Sequence, residues 1–162
     1  MEDKGRREDA FDPSGYLFRR ARPSDSNKVV ALLHQMFSTP PHGFDEKNAL
    51  RTVRKFSTSR SVFHLVVESK GELVASVVGY FVDYARFGRR MLIEDFVVDQ
   101  ACRSKGLGAS MLEYMKMVAV KRKCSGIVLH TGKQNLGAQR FYSRNGMEQN
   151  VMFKLDLRET SK

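Results

Sequence analysis

The chain has 162 residues, a hydrophobic share of 41% and a formal net charge of +10, which fits a single globular core of ordinary composition. No apolar run approaches the roughly 20 residues of a spanning helix, and two cysteines, Cys102 and Cys124, cannot build a disulfide framework or a zinc pattern. The positive charge is spread along the chain. There is no zinc finger, RNP-type aromatic pattern or heptad array, so nothing beyond charge speaks for a nucleic-acid partner. In chain order, residues 1–15 are charged, lack the apolar core of a signal peptide and read as a flexible leader of a cytoplasmic protein. Tyr16 to Ala21 alternates as a first strand. Pro23-Ser24-Asp25 opens a helix whose apolar residues recur from Val29 to Phe37, and Thr39-Pro40-Pro41-His42-Gly43 stops it. A second helix spans about Asp45 to Phe56, with Leu50, Val53 and Phe56 inward. His34 and His42 are given surface or packing roles.

Val62 to Val67 is β-branched and extended, Lys70-Gly71 turns, and Leu73 to Val82 returns as a hairpin. Tyr84 to Arg90 reads as a basic loop. Met91 to Val98 is the next strand, followed by a helix from Leu107 to about Val120 that buries Leu107, Met111, Leu112, Met115 and Val118. Ile127 to Thr131 then completes a βαβ unit with parallel strands. Asn135 to Asn145 is a helix with Gly146 as a left-handed cap, and Val151 to Leu157 alternates as a last strand.

Two motifs stand out. Arg103-Ser104-Lys105-Gly106-Leu107-Gly108 places glycines at the start of a helix. Backbone N–H groups there can converge on phosphate where no Cβ intrudes, the helix dipole adds attraction, and Arg103 and Lys105 can add charge. Asn135-Leu136-Gly137-Ala138-Gln139-Arg140-Phe141-Tyr142 follows one strand later. The pair, in the element order β-α-α-β-β-β-α-β-α-β, resembles the GCN5-related N-acetyltransferase (GNAT) family over roughly Leu17 to Leu157. The first motif is similar to that family's pyrophosphate loop R/Q-x-x-G-x-G/A, the second to N-x-x-A-x-x-F-Y.

The resemblance implies an α/β protein with a central mixed sheet flanked by helices, and one N-acetyltransferase domain over 16–162. It implies acetyl-CoA as co-substrate, a primary amine as acceptor and no metal. Phe96 and Val98 would pair by their main chain with the pantetheine arm, and a backbone N–H of Phe96 or Val97 would meet the oxyanion. Arg103, Ser104, Lys105, Gly106, Leu107, Gly108 and Ala109 would hold the pyrophosphate. Asn135 would contact coenzyme A, with Phe141 beside it, and Tyr142 would be the general acid toward the departing thiolate.

Glu94 and Asp95 are consecutive in a strand, so one faces the acetyl site and the other faces away. The pair resembles the small-amine branches of the family, where the first carboxylate is a base or holds the ammonium. Glu94 is favoured, although a local bulge would exchange the two. The acceptor groove is expected along Ser38 to Phe44, Tyr84 to Arg90 and Met147 to Val151. Arg86, Arg89 and Arg90 suit a phosphorylated amine such as an amino sugar phosphate or an aminophosphonate. A polyamine would prefer an acidic groove, which Asp83, Glu94 and Asp95 supply only locally. A lysine or N-terminus of a protein stays open as acceptor, as do an acyl-CoA sensor and a basic nucleic-acid module. The tail after the last helix is short for two strands. It is either one strand or a strand pairing across a homodimer.

Overall fold

The computed structural model describes residues 10–11, 15–36 and 44–153. They fall into two compact units, one running through His130 and the other beginning at Thr131.

The first unit is a six-stranded sheet in sequence order: β1 (Ala10–Phe11), β2 (Leu17–Arg20), β3 (Val62–Ser69), β4 (Glu72–Tyr84), β5 (Gly88–Val98) and β6 (Ile127–Leu129). All neighbours are antiparallel except β5 and β6, which are parallel. The parallel pair follows from the crossover helix between them, since a hairpin cannot join parallel strands. Three helices belong to this unit: α1 (Ser26–His34), α2 (Glu46–Thr58) and α3 (Leu107–Lys121).

The strand β3 is buried from Val62 through Val67, as a strand covered on both faces must be. On one face Val66 and Val97 pack with Val29, Val30, Leu32, Leu33 and Val53 of α1 and α2. On the other, Tyr114 of α3 stacks on Phe18 and Phe63 at 5.6 and 6.3 Å between ring centroids. Gly79 admits α3 closely there, because a Cβ at that position would lie 2.7 Å from Met115 Cε. A polar pair also lies inside: His64 Nε2 and Ser76 Oγ are 2.8 Å apart. Burial above all lowers the His64 pKa to about 4, so the imidazole is neutral at pH 7.

The strand β2 carries a buried ion pair. Arg19 holds Asp25 by two hydrogen bonds of 2.8 and 3.0 Å and reaches Glu68 at 3.1 Å, while Asp25 also accepts from the Arg22 N–H. Burial would raise the Asp25 carboxyl, but these bonds outweigh it and hold the group below the ordinary range. Removing one partner strands the other charge in the interior. Asp25→Ala is therefore expected to cost about 3–5 kcal/mol in urea unfolding. Because the native carboxyl is depressed, the stabilisation is present above the unfolded value near 3.9 and is lost as pH falls through the native one.

Three elements differ from the sequence expectation. Ala10–Phe11, inside the stretch read as a leader, pair with Leu17 and Phe18. Arg89 and Arg90 are strand residues, because β4 and β5 form a tight hairpin in which Arg89 faces Asp83. Val151 to Phe153 form no strand, and 154–157 lie outside the described residues. The other elements lie where their patterns put them, within a few residues at each end. No helix among the described residues is long and apolar enough to cross a membrane.

The second unit contains α4 (Leu136–Arg144). Asn135 caps it by accepting from the Ala138 N–H at 3.1 Å. Its far end closes as a Schellman motif: the Met147 N–H donates to Tyr142 O, the Gly146 N–H donates to Ser143 O, and Gly146 has φ +79°.

Candidate active site

The strand β5 organises the first unit's polar residues. Its parallel ladder with β6 covers only Met91–Ile93 against Ile127–Leu129. Beyond that point β5 continues to Val98, paired on its other side with β4. The parallel ladder therefore stops at Ile93, and β5 runs on beyond it from Glu94 to Val98.

A bulge sits in the same place. Ser76 is opposite Val97 and Val78 is opposite Glu94, so Val77 alone faces Asp95 and Phe96. Asp95 has φ +50°, a left-handed conformation that Asp tolerates better than most residues. The strict alternation expected for consecutive strand residues thus breaks here, and both carboxylates influence Tyr80. That phenol is pushed up to about 12, by burial first and then by Asp95 and Glu94. Its ring meets Phe56 of α2 edge-on at 5.5 Å.

Burial, then the neighbouring Glu94, raises the Asp95 carboxyl. A raised native carboxyl supports folding fully below the unfolded value near 3.9, and that support is lost as pH rises through the native value. At pH 7 the charge of Asp95 therefore opposes folding. Asp95→Asn keeps the shape and the tolerance of positive φ. It is expected to raise the denaturation midpoint at pH 7, with the two proteins converging below about pH 4. A midpoint unchanged at pH 7 would contradict this.

Glu94 has a partner that the sequence pattern did not single out. His130 follows β6, and its Nδ1 lies 3.3 Å from Glu94 Oε1. The signal was present: in parallel register, the residue after Leu129 stands beside the residue after Ile93.

From Val98 the chain enters the glycine loop through a 3-10 turn at Gln100–Cys102, capped by Asp99, which accepts from the Ala101 N–H at 2.8 Å. Gln35, just past α1, braces this turn by donating to Asp99 Oδ2 and accepting from the Gln100 N–H. Ser104 and Gly106 both have positive φ, +61° and +85°. Gly106 is the N-cap of α3, and the conformation rather than crowding selects glycine there, since a Cβ would meet open space. Ala109 and Ser110 donate to Gly106 O. The N–H groups of Leu107 and Gly108 precede them in the first turn, where a helix supplies no acceptor of its own.

The Leu107 side chain is 2% exposed and anchors α3 in the core. Arg103 donates to Val98 O at 2.9 Å and Lys105 to Ala101 O at 2.8 Å, so both cations brace the loop they were expected to serve as charges. Arg89 is likewise engaged, by two bonds of 2.9 and 3.0 Å to Asp83. Arg86 and Arg90 lie over the Phe87 ring. Within the first unit, then, Glu94, Asp95, Phe96, Val97 and Val98 share one strand that leads directly into Arg103 to Ala109.

In the second unit Asn135, Phe141 and Tyr142 share α4 and its cap. The Phe141 and Tyr142 rings meet at 5.1 Å. Burial raises the Tyr142 phenol above its ordinary value near 10, so it carries its proton at neutral pH. His34 packs against Phe44 with ring centroids 4.9 Å apart, while His42 lies outside the described residues.

The acetyltransferase (GNAT) family model matches residues 29–147, which takes in α1 through the end of α4. The chain belongs to the GNAT acetyltransferase family. Its fold is shared with solved members at low identity. Glucosamine-6-phosphate N-acetyltransferase from Arabidopsis thaliana superposes with a TM-score of 0.70 at 22% identity, covering 87% of this chain and 97% of that one. A predicted acetyltransferase from Clostridium acetobutylicum, solved with acetyl-CoA, gives 0.75 at 18% identity over 91% and 99%. Ribosomal-protein-alanine N-acetyltransferase from Brucella melitensis biovar Abortus 2308 gives 0.73 at 17% over 88% and 98%. GNAT enzymes use acetyl-CoA and an amine substrate.

Proposed function

We propose that this GNAT protein transfers the acetyl group of acetyl-CoA to a primary amine of a small molecule, by direct attack in a ternary complex. The observation that carries the reading is the end of the β5–β6 ladder at Ile93, on the strand that runs on into the loop at Gly106. Pyrophosphate sits at the start of α3, held by backbone N–H groups and the helix dipole. The pantetheine arm lies along Phe96 to Val98, and Asn135 contacts it further out. A backbone N–H of Phe96 or Val97 stabilises the oxyanion.

Glu94 and Asp95 make the start of this stretch negative, which suits an ammonium group. Glu94 is half exposed and receives the amine. The half-buried Asp95 sets the shape of the bulge and the local field. Once deprotonated, the amine nitrogen attacks the thioester carbonyl carbon. The C–S bond breaks, and the electron pair leaves on sulfur toward the Tyr142 hydroxyl.

The engagement of Arg89 by Asp83 removes one of three cations that favoured a phosphorylated acceptor, leaving Arg86 and Arg90. The deciding experiment is thiol release from acetyl-CoA with a panel of amino sugar phosphates, aminophosphonates, polyamines, aryl amines and peptides. Release with at least one small amine and not with peptides is expected. Release with peptides alone would assign a protein acceptor instead.

A further inference from the structure

We infer that His130 is the base that takes the proton from the acceptor amine, held in the required tautomer by Glu94. This rests on the acetyl-transfer reading above and names the proton acceptor within it. Three observations carry it. The parallel register ends at Ile93 and Leu129, so Glu94 and His130 are the first residues beyond the ladder on the two strands. The His130 Nδ1 is 3.3 Å from Glu94 Oε1. Both side chains remain open to solvent, 37% and 40% exposed, so an acceptor can reach them.

The chemistry follows from which nitrogen is occupied. An ionised carboxylate only accepts hydrogen bonds. The Nδ1 therefore carries the proton of the neutral ring, and Nε2 keeps a lone pair. That lone pair is a proton acceptor open to the substrate amine, while the carboxylate is occupied with the Nδ1 proton. The substrate N–H proton passes to Nε2, the freed nitrogen pair forms the bond to the acetyl carbon, and the thiolate departs. Glu94 stabilises the imidazolium that results. The other titratable groups facing this end of β5 are Asp95 on the bulge and Tyr80 on β4, whose phenol stays protonated. The reading thus separates two roles that the sequence had loaded onto one carboxylate: Glu94 is a positioning residue, His130 the base.

The test has two arms. Nitrogen-15 NMR of the imidazoles in the full chain reads the tautomer without any acetyl transfer. His130 protonated on Nδ1 in the wild type, with that tautomer no longer fixed in Glu94→Gln, is expected. Protonation on Nε2, or a tautomer that ignores the substitution, overturns the pairing. The second arm is kinetics with the best amine of the panel. His130→Gln is expected to lower kcat by roughly 10²-fold or more and to abolish the acidic limb of the kcat/KM profile, with the calorimetric Kd for acetyl-CoA unchanged. Wild-type kcat and an unshifted limb in His130→Gln would overturn the assignment. If the wild type releases no thiol with any amine, the acetyl-transfer reading itself fails and the base assignment falls with it, while the NMR arm still decides the pairing.

Discussion

Tyr142→Phe lowers turnover by roughly 10²–10⁴-fold while leaving the affinity for acetyl-CoA unchanged. The substitution removes only a hydroxyl. The ring that meets Phe141 at 5.1 Å stays, so neither α4 nor its caps are disturbed. Burial raises the phenol, which widens its distance from a thiol of ordinary pKa near 8.5. Complete proton transfer to the thiolate is therefore uphill. In the proposed reaction the hydroxyl would act chiefly by hydrogen-bonding to the charge that builds on sulfur as the C–S bond breaks, an interaction made mainly in the transition state. Hence the loss falls on kcat. Steady-state kinetics and calorimetry on the same preparation separate the two quantities, and equal turnover in the variant would show that the thiolate leaves unassisted.

Gly108→Asp abolishes binding of acetyl-CoA while the protein remains folded. Gly108 lies in the first turn of α3, next to the capping Gly106. A carboxylate there faces the positive end of the helix dipole and favours the helix by about 0.3–1 kcal/mol. The same charge meets the pyrophosphate head-on. One substitution therefore moves stability and binding in opposite directions, a pattern that general unfolding cannot produce. Thermal melting and calorimetry read the two effects, and an unchanged Kd in a folded variant would remove the pyrophosphate from this loop.

Some of the site was legible because it depends on local backbone chemistry. The glycines of the loop mark a conformation and a helix start that few other residues permit. Gly146 closes α4 by the Schellman bonds its position suggested. Asn135 caps α4 because a side-chain oxygen three residues before a free N–H does so in almost any context. Other features were not legible because they depend on partners distant in the chain. Arg89 read as part of a basic loop until Asp83 stood opposite it in the hairpin. Arg103 and Lys105, singled out for their charge, also brace Val98 O and Ala101 O, contacts that the motif spacing does not announce.

The strand β5 shows the division most clearly. Sequence alone determined that Ile93 to Gly108 joins a β-branched strand to a glycine-bearing helix start with two carboxylates along it, since periodicity and glycine conformation are properties of neighbouring residues. It left open which carboxylate faces the acceptor, because one inserted residue exchanges the faces of a strand. The tertiary structure shows that strict alternation breaks there, at a bulge of Asp95 and Phe96 set by pairing with β4. It also brought His130 to Glu94, through a parallel register that only the α3 crossover could align. Contacts across a sheet are chosen by register, and register belongs to the assembled sheet rather than to any one strand.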